Sequence, residues 1–597
     1  MRWAGGLRTS TSNGKRDEAR VRGESGVAPI RGSSAIDSPG GDKATLRWIV
    51  RISGRDFRCV WWMVAASVGQ SLLGLGVAWM FGQVIDRAVA LDGPGFWRVV
   101  ALLSVVIIVQ ISLSSFVRWL AEWANSLLEN RFRAQAFASI CERDLEYVSS
   151  LHSGEWTNRM GSDAQTVANG VTNILPGVVG MSVRLVGAIV MLVAIIPESG
   201  PLLIGGGVLL GALATLFRKQ MKRLHRARQE AGGRLQSYVL ECLQGLLVVH
   251  SFAREKTVQA EADARMADYR QARLDRNNFS NLCNTGFAAA MDGAYVLGVC
   301  YCGWRLMHGT MSYGTLVVVA QLVSQVQGPF ANLSGFLPRY YAMLASAERL
   351  MEPLGWPLAF EDEGVSQGEV RKLYQSQLRA IRLSDVTFSY GRSADAGQTL
   401  RYPTFELRRG EALALTGRSG CGKSTLIKLL MGVYEPAEGT RTLVLRDSRE
   451  LAYGTRWRGL FAYVPQDDVL MSGTVRDVVA FGSPDDRVDD RRVWDSLRIA
   501  CADGFVRELP LGLDTMLGER GSGLSGGQSQ RLAIARAVCS GHPVIVLDEA
   551  TSALDAQTEA ELLQNLRSLG DRTLLMVTHR PATMAACDRR IDLGGQE

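Results

Sequence analysis

The sequence predicts a multidomain protein. An all-α polytopic membrane domain of six transmembrane helices with long cytosolic extensions is followed by an α/β domain with a phosphate-binding loop and a helical subdomain. Three observations carry this. Between Arg58 and Pro338 the chain holds six apolar runs, each close to the ~20 residues that cross a bilayer. The long stretches between the second and third runs, and between the fourth and fifth, are rich in arginine and lysine. Strand-like segments then return with IRLSDVTFSY, and the strand ALALTG leads straight into GRSGCGKST.

The runs are residues 59–84, 98–120, 174–196, 201–217, 284–304 and 314–336. Pro197-Glu198-Ser199-Gly200 is a tight hairpin between the third and fourth. The first basic stretch contains Arg131, Arg133, Arg143 and Arg159, and the second Arg218, Lys219, Lys222, Arg223, Arg226 and Arg228. Excess positive charge stays on the cytosolic side, so both stretches face inward. An even number of spans then leaves the N-terminus and the C-terminal domain in the cytosol of a cell (inner or cytoplasmic) membrane. Each inward stretch is roughly sixty residues with helical patterning, too long for a simple connection, and is expected to extend the membrane helices into the cytosol.

The formal charge of +7 follows from that topology and does not call for a nucleic-acid partner. Residues 1–45 are polar and carry no apolar stretch of signal-peptide length, which predicts a disordered tail. Ten cysteines are scattered, with Cys300 and Cys302 the close pair, and neither a disulfide framework nor a metal-ligand spacing emerges.

GRSGCGKST fits G-x-x-x-x-G-K-[ST], the loop of a P-loop NTPase. Backbone N–H groups of the stretch Gly417, Ser419, Gly420, Cys421, Gly422, Lys423, Ser424 and Thr425 wrap phosphates. Lys423 reaches the β and γ groups, and Ser424 ligates Mg2+. Further on, PVIVLDEATSALD reads as a buried parallel strand ending in Asp548 and Glu549. An acid there holds the magnesium and a second orients the attacking water. The stretch LSGGQSQRLAIARAV opens a helix with a hydroxyl and two glycines, a second anion-binding end in the same domain.

With these motifs in hand, residues 46–597 resemble an ATP-binding cassette (ABC) transporter of the exporter type, a half-transporter with both domains on one chain. The resemblance implies a transmembrane domain over 46–343, a linker over 344–379 that includes LASAERLMEPL, and a nucleotide-binding domain over 380–597. It implies that Tyr390 stacks on adenine, that Glu549 is the catalytic base, and that His579 contacts the γ-phosphate. Gln466, with Ser424 and Asp548 at the magnesium, links that ion and the attacking water to the membrane domain. LSGGQ is the family signature, so Ser525, Gly527 and Gln528 meet ATP held by a second subunit, and Asp555 lies on the loop that crosses the dimer. A homodimer of half-transporters is favoured, a heterodimer stays open, and membrane lipid and a transported substrate are the other partners. GERGSG at 518–523 resembles the exporter-specific segment before the signature. The turns near Met160–Asp163 and Glu241–Gly245 resemble the elements that couple the two domains.

Two stretches depart from the family pattern, GTRTLVLRDSRELAYGTRWRG, where Asp447 or Ser448 replaces a glycine turn, and RYPTFELRRGE; altered strands with unchanged chemistry are expected there. Within the apolar runs, Arg184 and Asp292 are costly in a bilayer and are candidates for the substrate path. Gln321, Ser324 and Gln325 are their polar neighbours on the sixth run, which Pro329 is expected to kink. Arg118 and Glu122 are spaced as a helix-stabilising pair. Export of a lipid, an amphipathic drug or a small peptide fits such a mixed lining. An importer of a metal chelate on the same fold, or an ATP-gated channel, stays open, whereas the six apolar runs argue against a soluble ATPase acting on DNA or ribosomes.

Overall fold

Each of the six apolar runs lies on a long helix of the computed structural model, which describes residues 41–359, 364–390, 399–466, 470–483, 488–518, 521 and 523–593. A first helix, α1 (Asp42–Ser53), precedes them and begins inside the stretch read as tail. Then come α2 (Phe57–Val89), α3 (Gly93–Glu142), the short α4 (Leu145–Ser150) and α5 (Ser153–Asn158), and α6 (Ala164–Ile195). After these follow α7 (Ser199–Gln244), the short α8 (Leu246–Ser251), α9 (Glu255–Met307) and α10 (Tyr313–Met351). The 50 residues of α3 span about 75 Å, more than twice the roughly 30 Å hydrocarbon core of a bilayer. Among the described residues, Asp42–Val89, Gly93–Glu142 and Ser153–Ile195 are long and apolar enough to cross a membrane by length and composition. On α3, Val105, Ile108 and Ile111 are 56%, 63% and 60% exposed in the single chain. A continuous apolar face of this kind is stable against lipid or another helix, not against water. Residues 1–40, the side chains of Arg218, Lys219 and Pro329, and Glu519, Arg520 and Ser522 of the GERGSG segment lie outside the described residues; the backbone of α10 is helical through position 329.

The chain divides into two compact units, Met1–Phe137 with Thr157–Gly355, and Ala138–Trp156 with Trp356–Glu597. In the first, α2, α6 and α10 pack together and α7 packs along α9. One core joins Trp48 and Ile49 of α1 to Phe132, Val167 and Leu344; another joins Leu75, Leu192, Val319 and Leu322. The Asp86 carboxylate accepts from the Gly314 N–H (2.8 Å) and the Ser312 hydroxyl (2.8 Å), and so caps the start of α10. Gln325 donates to the Gly74 carbonyl at 3.2 Å, tying α10 to α2. Arg118 donates to Ser115 at 3.0 Å, so its partner lies one turn back and not at Glu122.

The expected coupling turn at Met160–Asp163 is corrected by the structure. Residues Arg159–Asp163 form a π-helical turn in the run from α5 into α6, and Arg159 and Asp163 are buried. Asp163 accepts from Ser346 (2.8 Å) and from Arg349 Nε (2.9 Å). Arg159 donates to the Arg349 carbonyl (2.8 Å) and pairs with Glu352 (2.6 Å). These charges are held because each is paired and hydrogen-bonded against the last turns of α10. The chain reversal between α3 and α6 falls earlier, in α4 and α5, and Ala138–Trp156 belongs to the second unit. There Arg143 donates to the Trp356 carbonyl (2.5 Å), and the Trp156 and Trp356 rings meet edge to face at 5.9 Å. The other turn falls where the sequence puts it, with α7 ending at Gln244 and Gly245 leading into α8.

In the second unit a five-stranded sheet has the order β12 (Arg589–Asp592), β4 (Ala412–Thr416), β11 (Thr573–Val577), β10 (Val544–Asp548), β7 (Phe461–Val464), all pairings parallel. The residues of β4, β10 and β11 are all buried, as strands covered on both faces require. An antiparallel sheet is built on β1 (Leu378–Ser389), with β2 (Thr399–Tyr402), β3 (Phe405–Arg408), β5 (Glu438–Leu445) and β6 (Glu450–Ala452), and β8 (Gly473–Thr474) pairs with β9 (Met516–Leu517). Both departures from the family pattern form strands, with register shifts where β5 pairs with β1. Ser448 takes the positive φ of 66° that a glycine would have supplied and β5 still pairs with β6, while Pro403 falls between β2 and β3. The stretch read as linker contains the end of α10 and a helix, α11 (Gln367–Lys372). Helices α13 (Val475–Ala480), α14 (Asp490–Ile499), α15 (Asp503–Glu508) and α16 (Gly526–Cys539) form the helical part, on a core distinct from that around the loop helix α12 (Lys423–Leu430).

Candidate active site

Parallel register brings the candidate residues together. Leu415, Val577, Asp548 and Val464 stand at the C-terminal ends of four neighbouring strands, where Val577 pairs with both Leu415 and Asp548, and Leu547 with Val464. The loops that leave these ends carry Gly417–Ser424, His579, Glu549 and Gln466. Ligand crevices of doubly wound sheets form at this edge because the strands point their exits the same way.

Gly422 is the N-cap of α12 in a left-handed conformation (φ 91°), and a Cβ there would stand 2.3 Å from the Tyr402 hydroxyl. That hydroxyl donates to the Gly422 carbonyl at 2.8 Å, and burial pushes it far above the ordinary tyrosine range, so it stays a donor. Lys423 is 8% exposed, and its ammonium donates to the carbonyls of Gly417 (2.7 Å) and Arg418 (3.1 Å), inside the loop. Tyr390 shares a 2.6 Å hydrogen bond with Thr425, and its ring meets Phe388 edge to face at 5.0 Å. A glycine cradle whose geometry excludes a side chain, a buried ammonium and a helix start are the features that hold a triphosphate. Lys423→Ala is expected to weaken ATP binding by about ten- to hundred-fold, since a hydrogen bond to a charged group contributes roughly 1.5–3 kcal/mol; equilibrium binding of a fluorescent ATP analogue measures it, and unchanged affinity would sink the loop's assigned role.

Asp548 accepts from the Tyr463 hydroxyl at 3.1 Å. Burial pushes its carboxyl above the usual carboxylate range, while hydrogen bonds from Ser424 and Tyr463 draw it back, Glu549 adds repulsion and Lys423 opposes it. A hydroxyl and a carboxylate that meet at a phosphate loop are hard oxygen donors of the kind Mg2+ takes. Glu549 has φ 54°, a left-handed backbone for a non-glycine residue that costs of order 1–3 kcal/mol and gathers at functional sites. Its Oε2 accepts from Gln466 Nε2 at 2.9 Å, and its Oε1 lies 3.7 Å from His579 Nε2. One carboxylate thus meets both of the other residues expected to take part in the reaction, Gln466 and His579.

Ser525 caps α16 in a reciprocal box, its hydroxyl accepting from the Gln528 N–H (3.3 Å) and its own N–H donating to the Gln528 side-chain oxygen (2.9 Å). This leaves part of Gln528's side chain in the cap. A Cβ on Gly527 would lie 2.9 Å from the Ala553 carbonyl, so only glycine fits that close approach. Asp555 caps α17 (Ala556–Arg567), accepting from the N–H groups of Gln557 (3.1 Å) and Thr558 (2.9 Å). These hydrogen bonds, with that of the Thr558 hydroxyl, hold its carboxyl below the usual range. The signature helix and α12 belong to different cores of the unit, so the two anion-binding ends are separate structures. Four residues that sequence patterns did not single out support these groups, namely Tyr402, Tyr463, Gln530 and Arg580. Tyr402 lies in the stretch read as irregular, and no spacing marks the other three.

Fold and site together define a membrane-spanning P-loop ATPase. Residues 60–330 match the family described as ABC transporter transmembrane region, and residues 400–552 the family described as ABC transporter. The chain belongs to the ABC transporters, as an exporter-type half-transporter: a multi-pass membrane protein with an ATP-binding domain whose ATPase activity is coupled to transport. It is 28% identical over 546 residues to ABC transporter B family member 1 of Dictyostelium discoideum, covering 91% of this chain and 59% of that protein, so the chain spans less than two thirds of that relative's length. It is 28% identical over 468 residues to the multidrug resistance ABC transporter ATP-binding and permease protein of Lactococcus lactis, covering 78% of this chain and 77% of that one. The solved structure of a bacterial Atm1-family ABC exporter with ATP bound shares the fold, with a TM-score of 0.72 and 23% identity over 89% of this chain and 93% of that chain.

Proposed function

We propose that two copies of this chain form an ATP-driven exporter that moves a lipid, an amphipathic drug or a small peptide out of the cytosol by alternating access. The observation that carries this is the division of the phosphate-binding parts: the Lys423 loop and the Ser525 cap sit on separate cores of one chain. Two chains arranged head to tail complete each site, the signature of one closing on ATP held by the other. Lys423 and the loop amides hold the phosphates, and Tyr390 stacks on the adenine. Glu549, oriented by Gln466, takes the proton of the attacking water. His579 contacts the γ-phosphate, so its presence or loss is felt by the loop that carries Asp555. Ser424, Asp548 and Gln466 would hold Mg2+, which supplies neutralisation of the phosphate charge. Six spans place the N-terminus and the nucleotide-binding domain in the cytosol of the cell membrane. Arg184 and Asp292, exposed on the membrane helices of the single chain, meet the polar part of the cargo.

Purified protein in proteoliposomes tests the reading, with ATP hydrolysis and ATP-dependent accumulation measured across lipids, drugs and peptides. At least one class is expected to stimulate turnover and to accumulate against its gradient. Passive flux that outruns hydrolysis would replace the exporter with a channel.

A further inference from the structure

Of the five residues between the acid pair and Asp555, the last four, Thr551-Ser552-Ala553-Leu554, are each held by a side chain from elsewhere. Arg580, the neighbour of His579, donates to the carbonyls at both ends of the segment, Thr551 (3.0 Å) and Leu554 (2.9 Å). Its guanidinium is paired at 2.6 Å with Glu559, whose buried carboxylate also accepts from Thr551 (3.1 Å) and Thr583 (2.6 Å). From the other side Gln530, a buried residue of the signature helix, donates to the Ser552 hydroxyl (3.0 Å) and accepts from the Ala553 N–H (3.0 Å). Gly527 of the same helix lies so near the segment that a Cβ there would stand 2.9 Å from the Ala553 carbonyl oxygen. A planar guanidinium spreads its donors over separate nitrogens and so spans two carbonyls and a carboxylate, whereas an ammonium's three donors converge on one atom.

We propose that Arg580 and Gln530 are positioning residues that turn Thr551–Leu554 into a strut between the His579 loop and the signature helix. The two ends then move as one body, and a shift of His579 on γ-phosphate binding or loss reaches Ser525 of the same chain. Under the head-to-tail pairing proposed above, on which this rests, Ser525 faces the partner's ATP. The strut therefore links the state of a chain's own site to closure of the other.

The test uses the full-length chain in proteoliposomes, with ATP affinity, kcat and the Hill coefficient for ATP measured for Arg580→Ala, Gln530→Ala, the double variant and Arg580→Lys. Arg580→Ala and Gln530→Ala should each keep ATP affinity within about two-fold, lower kcat about ten- to hundred-fold, as small misplacements of reacting groups do, and reduce the Hill coefficient toward 1. The double variant should lose no more than the worse single one, because the strut fails as a unit, and Arg580→Lys should not rescue. Either alanine variant with kcat and cooperativity unchanged overturns the proposal, as does additive loss in the double variant or rescue by lysine. Should Arg580→Ala not fold, Gln530→Ala decides alone. Ser525→Ala separates the two readings: if it is silent, the shared site itself fails, and if it is damaging while Gln530→Ala is silent, only the strut fails.

Discussion

Glu549→Gln is expected to lower ATP turnover by about 10²–10⁴-fold, the usual contribution of a positioned general base, with ATP still bound. The substitution keeps the side chain's size and its ability to accept from Gln466, now 2.9 Å from Oε2, but removes the basic oxygen. The P-loop contacts are untouched, so nucleotide occupancy measured by filter binding should match the parent chain. Phosphate release within about ten-fold of the parent would show that another group takes the proton. A side effect is also foreseen. The φ of 54° at Glu549 belongs to the backbone turn after β10, so Gln should sit in the same conformation and the melting midpoint should stay put.

The second large effect belongs to Gly527→Asp. Its Cβ would stand 2.9 Å from the Ala553 carbonyl, a backbone atom that cannot swing aside, and its carboxylate would add negative charge where a partner's triphosphate is proposed to lie. Turnover should fall by about 10²-fold or more, the scale seen when one charge-stabilising contact to a transition state is lost. ATP binding by the chain's own loop should remain within a few-fold, because α12 and the signature helix rest on separate cores. Ser525→Ala is the milder companion, removing a helix cap worth about 1 kcal/mol along with the hydroxyl proposed to meet the partner's ATP. Equal loss of ATP affinity and of turnover in Gly527→Asp would mean that the signature serves its own chain's site and that no second subunit is needed.

The parts legible in the sequence were those written in contiguous residues. An apolar run long enough to cross a bilayer predicts a helix wherever its neighbours lie, and all six runs fall on long helices. GRSGCGKST predicts its own turn because Gly420 and Gly422 take φ values of 82° and 91° that most residues avoid. The turn at Gly245 falls where the resemblance puts it, at a φ of −95° that any residue can take. The misplaced turn has the opposite cause. The resemblance puts a coupling turn near Met160–Asp163, but Ser346, Arg349 and Glu352, nearly two hundred residues away, provide the partners that bury its ends. In the hairpin from β5 to β6, pairing with β1 on one side held the strands in place, and Ser448 accepted the left-handed turn.

Local backbone patterns encode the chemistry available to this protein, a phosphate loop, an acid pair and a capped second anion site beside a membrane domain. Which of these groups meet is settled by the packing of distant elements. Parallel pairing of β4, β11, β10 and β7 sets Gln466, Glu549 and His579 side by side across more than a hundred residues of chain, and the Arg580 and Gln530 contacts tie that cluster to the signature helix. Register and packing between distant strands and helices are long-range choices, settled by burial and hydrogen bonding among elements that no single stretch of sequence contains.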